Sequence, residues 1–129
     1  MHTYYESEEF QKRGSLPSGW EESSFKYCEF KLLEIEGGGF GGVLVGCVFE
    51  NSEFYWSLFN SGIFVDVEFK NCVFRGVSFA GCVFTECRFI GCTFTNDNMG
   101  GTCSFPDSRW YACTQTACTG LTNTHAKHV

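Results

Sequence analysis

Basic residues are few in this chain and never gather. Nine Lys and Arg stand against fifteen Asp and Glu, a formal net charge of −6. Sequence-independent binding to nucleic acid needs clustered Lys and Arg that displace counterions, so no direct nucleic-acid binding is expected. No stretch approaches the roughly 18 consecutive apolar residues of a membrane-crossing helix, and no membrane role is expected. The opening MHTYYESEEF lacks the basic stretch and apolar run of a signal peptide, which makes a cytoplasmic protein the expectation. CxxC is absent, and His2, His125 and His128 lie outside the patterned part of the chain. A zinc site usually needs such spacing or histidine partners, so neither metal nor cofactor is expected. There is no Ser-His-Asp candidate set, no phosphate-binding glycine loop opening a helix and no pair of carboxylates sharing a cleft. GGGFGG at 37–42 has neither a lysine nor a helical pattern after it. Enzymatic activity is therefore not expected.

The chain is rich instead in phenylalanine, with fifteen, and in cysteine, with nine, over 129 residues. That length suits one domain. An odd cysteine count leaves at least one thiol unpaired, and without a secretion signal the default is free thiols in a reducing compartment. Acid is concentrated early: residues 1–40 hold eight Glu against four Lys and Arg.

The spacing of the phenylalanines sets the fold. Leu44, Phe49, Phe54, Phe59, Phe64, Phe69, Phe74, Phe79, Phe84, Phe89, Phe94 and Met99 are twelve large apolar residues at a strict interval of five. Neither a 3.6-residue helix nor a two-residue strand repeat produces this; the backbone must turn a corner every five residues. Upstream, Phe25, Phe30, Ile35 and Phe40 keep the period, and a four-residue step inside GGGFGG leads to Leu44. Downstream, a six-residue step inside NMGGTCSF leads from Met99 to Phe105, followed by Trp110, Gln115 and Gly120. Glycine at both slips fits, because it enters unusual backbone regions cheaply. The count is twenty units, the last two degraded.

Two residues before each large one lies a small slot, filled by Cys47, Ser52, Ser57, Gly62, Val67, Cys72, Val77, Cys82, Cys87 and Cys92 in the central units. All nine cysteines occupy this one position. Scattered metal ligands would not sort in this way. A buried, weakly polar slot suits free cysteine.

Units such as CVFEN, CVFRG, VSFAG, CVFTE, CRFIG and CTFTN resemble those of the pentapeptide-repeat family, whose repeat sets a small residue two before a central Leu or Phe. The resemblance spans roughly residues 23 to 122. It implies an all-β solenoid, a right-handed quadrilateral β-helix with four pentapeptides per coil and so about five coils, roughly 24 Å tall at strand-pair spacing. The expected division is a capping and linking segment at 1–22, the β-helix at 23–122 and a flexible tail at 123–129.

Residues twenty apart should then stack. The expected columns are Phe49, Phe69, Phe89 and Trp110; Phe54, Phe74 and Phe94; Phe59, Phe79 and Met99; and Leu44, Phe64, Phe84 and Phe105. Cys72, Cys92 and Cys113 should align, as should Cys82 and Cys103, but at a Cβ spacing of about 4.8 Å, wider than the roughly 3.8 Å a disulfide wants. YYESEEFQKR reads as a short amphipathic helix docking Tyr5 and Phe10 on the first coil, and SLPSGW as a linker. Asp97 falls in an inward slot beside the second slip, which requires a partner such as the backbone amides of NMGG.

Function must lie on the outer walls. Glu68 under Arg88 reads as a stacked ion pair. Val43 and Val45, Ile63 and Val65, and Val83 and Thr85 form an apolar stripe across three coils. Such a patch reads as a contact with a partner or a second copy, as a seat for the N-terminal segment, or as plain β-propensity. Tyr55 and Trp56 form a second aromatic spot, read as an interface anchor or a rim aromatic. The leading expectation is a non-catalytic protein-interaction module that can pair with itself as a homodimer. The family resemblance implies two further roles: a DNA mimic that binds DNA gyrase, or an adaptor or immunity component of a bacterial secretion or toxin system.

Overall fold

The computed structural model describes residues 3–12 and 15–121 and the backbone of Lys127–His128. Each pentapeptide folds as a three-residue strand and a corner. In Val48–Glu50, Phe49 points inward and its two neighbours outward, as strand alternation requires. The corner residue after most strands is left-handed: Asn51, Ser61, Asp66 and Asn71 have φ of 53 to 59°, whereas Gly41 and Asn96, at the two slips, are not in this region. Short polar residues and glycine tolerate this region best. The slot residue then turns in, and the next strand starts on the adjacent wall.

Four walls result, each a parallel sheet. The first holds six strands: Tyr4–Glu6, Ser24–Lys26, Val43–Val45, Ile63–Val65, Val83–Thr85 and Arg109–Tyr111. The second runs from Glu9–Gln11 through Glu29–Lys31, Val48–Glu50, Glu68–Lys70, Arg88–Ile90 and Thr114–Thr116 to Lys127–His128. The third stacks Glu34–Glu36, Glu53–Tyr55, Val73–Arg75 and Thr93–Thr95, and the fourth Gly39–Phe40, Leu58–Asn60 and Ser78–Ala80. The β-solenoid that the family resemblance implies is thus present, with about four complete coils, rather than five, and partial ones at both ends.

Phenylalanine fills the centre. Phe49, Phe54, Phe59, Phe64, Phe69, Phe74, Phe79, Phe84, Phe89 and Phe94 are all buried. Up each column the rings are parallel: Phe69 and Phe89 lie 5.0 Å apart at 5°, Phe64 and Phe84 4.8 Å apart at 7°. Around each coil they meet edge to face, as Phe69 and Phe74 do at 5.7 Å and 69°. Both arrangements suit the aromatic quadrupole. At roughly 1.5–3 kcal/mol of transfer free energy per buried ring, this stack dominates stability.

The structure departs from the sequence reading at the ends and slips. Met99 is not interior: it is 92 % exposed. Ile63–Val65 pairs with Val83–Thr85 at an offset of twenty, but Val83 pairs with Arg109, an offset of twenty-six. The insertion is therefore one whole unit plus one residue, and the unit around Met99 loops out. The upper columns shift with it: Trp110 stacks on Phe84 at 4.2 Å, Phe105 on Phe79 at 5.1 Å, and Gln115 lies over Phe89. The cysteines move in the same way. Thr114 N donates to Cys87 O and Thr119 N to Cys92 O, which sets Cys113 above Cys87 and Cys118 above Cys92. Above Cys82 stands Ser108, whose Oγ accepts from Cys82 N.

The N-terminal segment is not helical. Tyr4–Glu6 and Glu9–Gln11 pair below Ser24–Lys26 and Glu29–Lys31 as a half-coil, and Trp20, in a 3-10 turn at Trp20–Glu22, packs on Phe40 at 5.4 Å. In GGGFGG glycine serves both purposes: Gly37 and Gly38 have φ of 69 and 65°, while between Phe40 and Leu44 a Cβ on Gly42 would collide with the Ser23 carbonyl. Of the tail expected at 123–129, only the backbone strand Lys127–His128 lies within the described residues, and it extends the second wall beside Thr114–Thr116. His2 and His125 lie outside them.

Candidate protein-interaction surface

The first wall brings the apolar stripe together. Val43, Ile63 and Val83 are in register, as are Val45, Val65 and Thr85. Ile63 is 42 % exposed and its neighbours are half-buried by one another. The N-terminal segment does not cover this stripe; it adds a rung below it. The wall is longer than the sequence reading allowed, with Tyr4 and Glu6 at the bottom and Arg109 and Tyr111 at the top. Tyr27, at the corner beside the stripe, lies over Gly46, where a Cβ would meet its ring at 2.6 Å. The lower rung was legible in principle, because Tyr5 and Phe10 share the phase of Phe25 and Phe30. The upper rung was not, because the looped unit displaces it.

Tyr55 and Trp56 differ in setting. Tyr55 Oη accepts from Asn98 N at 3.1 Å, and the Arg75 guanidinium lies 5.2 Å from its ring centre. Arg75 also donates to Asn98 Oδ1 at 2.8 Å and Asn96 O at 3.3 Å. Asp97 Oδ1 accepts from Met99 N and Gly101 N, both at 2.8 Å, as the NMGG reading expected. Tyr55 thus braces the loop at 96–101. Trp56 is free of it, 68 % exposed at a corner with φ of 57°.

Below that loop the third wall has a groove of about 430 Å³ lined by Glu34, Ile35, Glu36, Glu53, Tyr55, Arg75 and Asn98. Glu34 and Glu53 stack in register there, and no salt bridge reaches either among the described residues. On the second wall, Lys31 relieves the equivalent pair by contacting Glu9 at 3.2 Å and Glu29 at 3.5 Å. Arg88 sits above Glu68 as expected, yet its close ion pair is with Asp66, at 2.9 Å.

All nine cysteines are free. Each thiol reaches a main-chain carbonyl of the coil below: Cys92 Sγ to Phe69 O at 3.1 Å, Cys82 to Phe59 O at 3.2 Å, Cys72 to Phe49 O at 3.4 Å. Ser57 and Ser108 do the same from this slot, to Gly37 O and Phe79 O. A slot filled by Val67 or Val77 forgoes that donor. Burial pushes the Cys47 thiol up to about 11. The neighbouring thiols of Cys87 and Cys113 push each other's pKa values apart, Cys113 being held below the ordinary thiol value and Cys87 raised above it.

Four parallel sheets closing around stacked rings define a quadrilateral β-solenoid. Residues 63–101 match the family profile "Pentapeptide repeats" in eight copies, so this part of the chain is built of pentapeptide repeats. No curated protein matches the sequence. Among solved structures it is similar to QnrB1, a plasmid-mediated fluoroquinolone resistance protein, in a trypsin-treated form. The TM-score is 0.54 at 16% identity, over 91% of this chain and 53% of that one, so this chain spans about half of it. It is also similar to Rfr23, a pentapeptide repeat protein of the cyanobacterium Cyanothece, at a TM-score of 0.33 and 10% identity, over 82% and 91% of the two chains.

Proposed function

We propose that this protein is a non-catalytic protein-interaction module that binds a protein partner or a second copy through the first wall. The observation that supports this most is the stripe itself: three consecutive in-register rungs of apolar side chains, with Ile63 42 % exposed at the centre. Contiguous exposed apolar surface of this kind is costly to leave in water and marks contact sites. The ring-filled interior leaves no central cleft for chemistry, which supports a non-catalytic role. Seven buried free cysteines suit a reducing, cytoplasmic setting. Replacing Ile63 and Val65 with Lys should abolish self-association or partner capture while the circular dichroism and melting profile persist. Unchanged mass in solution and unchanged partner capture would remove this reading.

A second reading follows from the fold shared with the fluoroquinolone resistance protein QnrB1: binding to DNA gyrase. The ladders of this chain oppose it, since acids on the second wall alternate with bases, as in Lys31, Glu50 and Lys70. A gyrase supercoiling assay tests it directly, and no inhibition at micromolar protein excludes it.

A further inference from the structure

The first wall is self-complementary from end to end. From bottom to top its outward pairs are Tyr4 and Glu6, Ser24 and Lys26, Val43 and Val45, Ile63 and Val65, Val83 and Thr85, and Arg109 and Tyr111. We propose that this wall docks on the same wall of a second copy, antiparallel, about a two-fold axis passing between the Val43–Val45 and Ile63–Val65 rungs. The proposal rests on the reading of the stripe as a contact surface and adds the occupant and its orientation.

A two-fold axis perpendicular to the solenoid maps the first rung onto the sixth, the second onto the fifth and the third onto the fourth. Val43 then meets Ile63 of the second copy, and Val45 meets Val65. At each end Arg109 faces the rung that carries Tyr4 and Glu6. That rung is a prepared acceptor, because Tyr4 Oη donates to Glu6 Oε1 at 2.7 Å and holds ring and carboxylate together. No salt bridge occupies Arg109 among the described residues, so its guanidinium is available for the ring face and the carboxylate. Lys26 fits the same scheme. Its ammonium lies 5.1 Å from the Tyr27 ring centre at the corner, which leaves its aliphatic stem beneath Thr85 of the second copy. The other two-fold, parallel to the solenoid, keeps each rung on itself and swaps its two ends, so Glu6 would face Tyr4, Lys26 would face Ser24 and Arg109 would face Tyr111, and no rung would bring an acid and a base together. Charge therefore selects the antiparallel arrangement.

Size sets the strength. Six rungs at roughly 4.8 Å make a strip of roughly 24 Å, one wall wide. That is smaller than the roughly 800 Å² per partner of a standard stable interface, so the dimer is concentration-dependent.

The test is sedimentation velocity from low to high micromolar concentration on the full chain and four variants. Ile63→Lys should abolish the dimer. Arg109→Glu and Glu6→Lys should each raise the dissociation constant by about tenfold, and the double variant Glu6→Lys/Arg109→Glu should return to within about threefold of the starting value. Melting curves exclude unfolding; Glu6 and Arg109 are both exposed. Loss with Ile63→Lys but no response to either charge reversal overturns the antiparallel register and leaves the stripe reading standing. A chain that stays monomeric throughout overturns the self-docking, and the partner-capture assay above then tests the stripe alone. Single reversals that are not rescued by the double also overturn the proposal.

Discussion

Residues 63–95 and residues 96–121 use the same alphabet to different ends. In the first stretch every large position is phenylalanine and each wall advances by twenty residues per coil. In the second, one unit is expelled, Trp110 and Phe105 replace phenylalanine columns from a shifted register, and Gln115 takes the place above Phe89. Gln115 is buried, and its Nε2 donates to Leu121 O at 2.9 Å, while buried Leu121 adds apolar cover. The regular stretch is cooperative because each ring has neighbours above, below and to either side. The irregular stretch has one open side, so polar groups must close it. Propagation and termination therefore depend on different chemistry at one repeat position.

The largest expected contrast concerns the rings. Phe74→Ala or Phe79→Ala should cost about 3–5 kcal/mol, since the cavity is walled by rings on every side. Phe105→Ala should cost about half as much, because Phe105 is only half-buried at the upper end. Urea denaturation measures both, and equal losses would erase the distinction between centre and end.

Next comes the response to alkali. Cys47 keeps its proton in the folded state up to about 11, because burial disfavours the thiolate, whereas an unfolded thiol ionises near its ordinary value. The folded state then binds more protons, so stability is fully present below the unfolded pKa and falls as pH rises toward about 11. The loss should reach about 2–3 kcal/mol. Cys47→Ser should flatten that fall in pH-dependent melting. Cys113, held down by Cys87, has the opposite sign and belongs to the irregular end.

Smaller still is the effect of restoring the period. Removing 97–102 leaves Asn96 as the corner before the slot residue Cys103, and asparagine accepts the left-handed corner better than Thr102 would. The shortened chain should melt within about 1 kcal/mol of the parent, since only Tyr55, Arg75 and the loop's own contacts are lost. Collapse of the fold would show instead that the loop braces the upper coil.

The smallest effect tests the outer ladders. Glu53→Lys places an ammonium over Glu34, as Lys31 lies across Glu9 and Glu29 on the second wall. It should raise stability by about 0.2–1 kcal/mol at low salt, as read by thermal melting. No gain would mean that the groove already screens the pair.

The sequence disclosed the walls, the slot and the stripe wherever columns run unbroken, because a corner every five residues brings the eleven large residues from Leu44 to Phe94 to one side of the backbone. It misplaced Met99 and Trp110 for an arithmetical reason: an insertion of one unit plus one residue has the same phase as an insertion of one residue. Only pairing across coils separates them. The half-coil of Tyr5 and Phe10 was masked by polar neighbours that suggested a helix, although both rings were in phase. Glu68 and Arg88 were aligned correctly, yet reach decided the bond: the corner carboxylate of Asp66 lies nearer to the guanidinium.

The buried amide of Gln115 has a consequence for growth. A stack of flat rings ending in a bare ring is a nucleus, ready to accept the next layer from any molecule that carries the same motif. By spending its hydrogen bond on its own chain, Gln115 makes the layer above Phe89 chemically unlike the layers beneath it, and the backbone of Lys127–His128 pairs beyond it. The column above Phe89 therefore ends in an amide, whereas the columns above Phe79 and Phe84 end in the rings of Phe105 and Trp110.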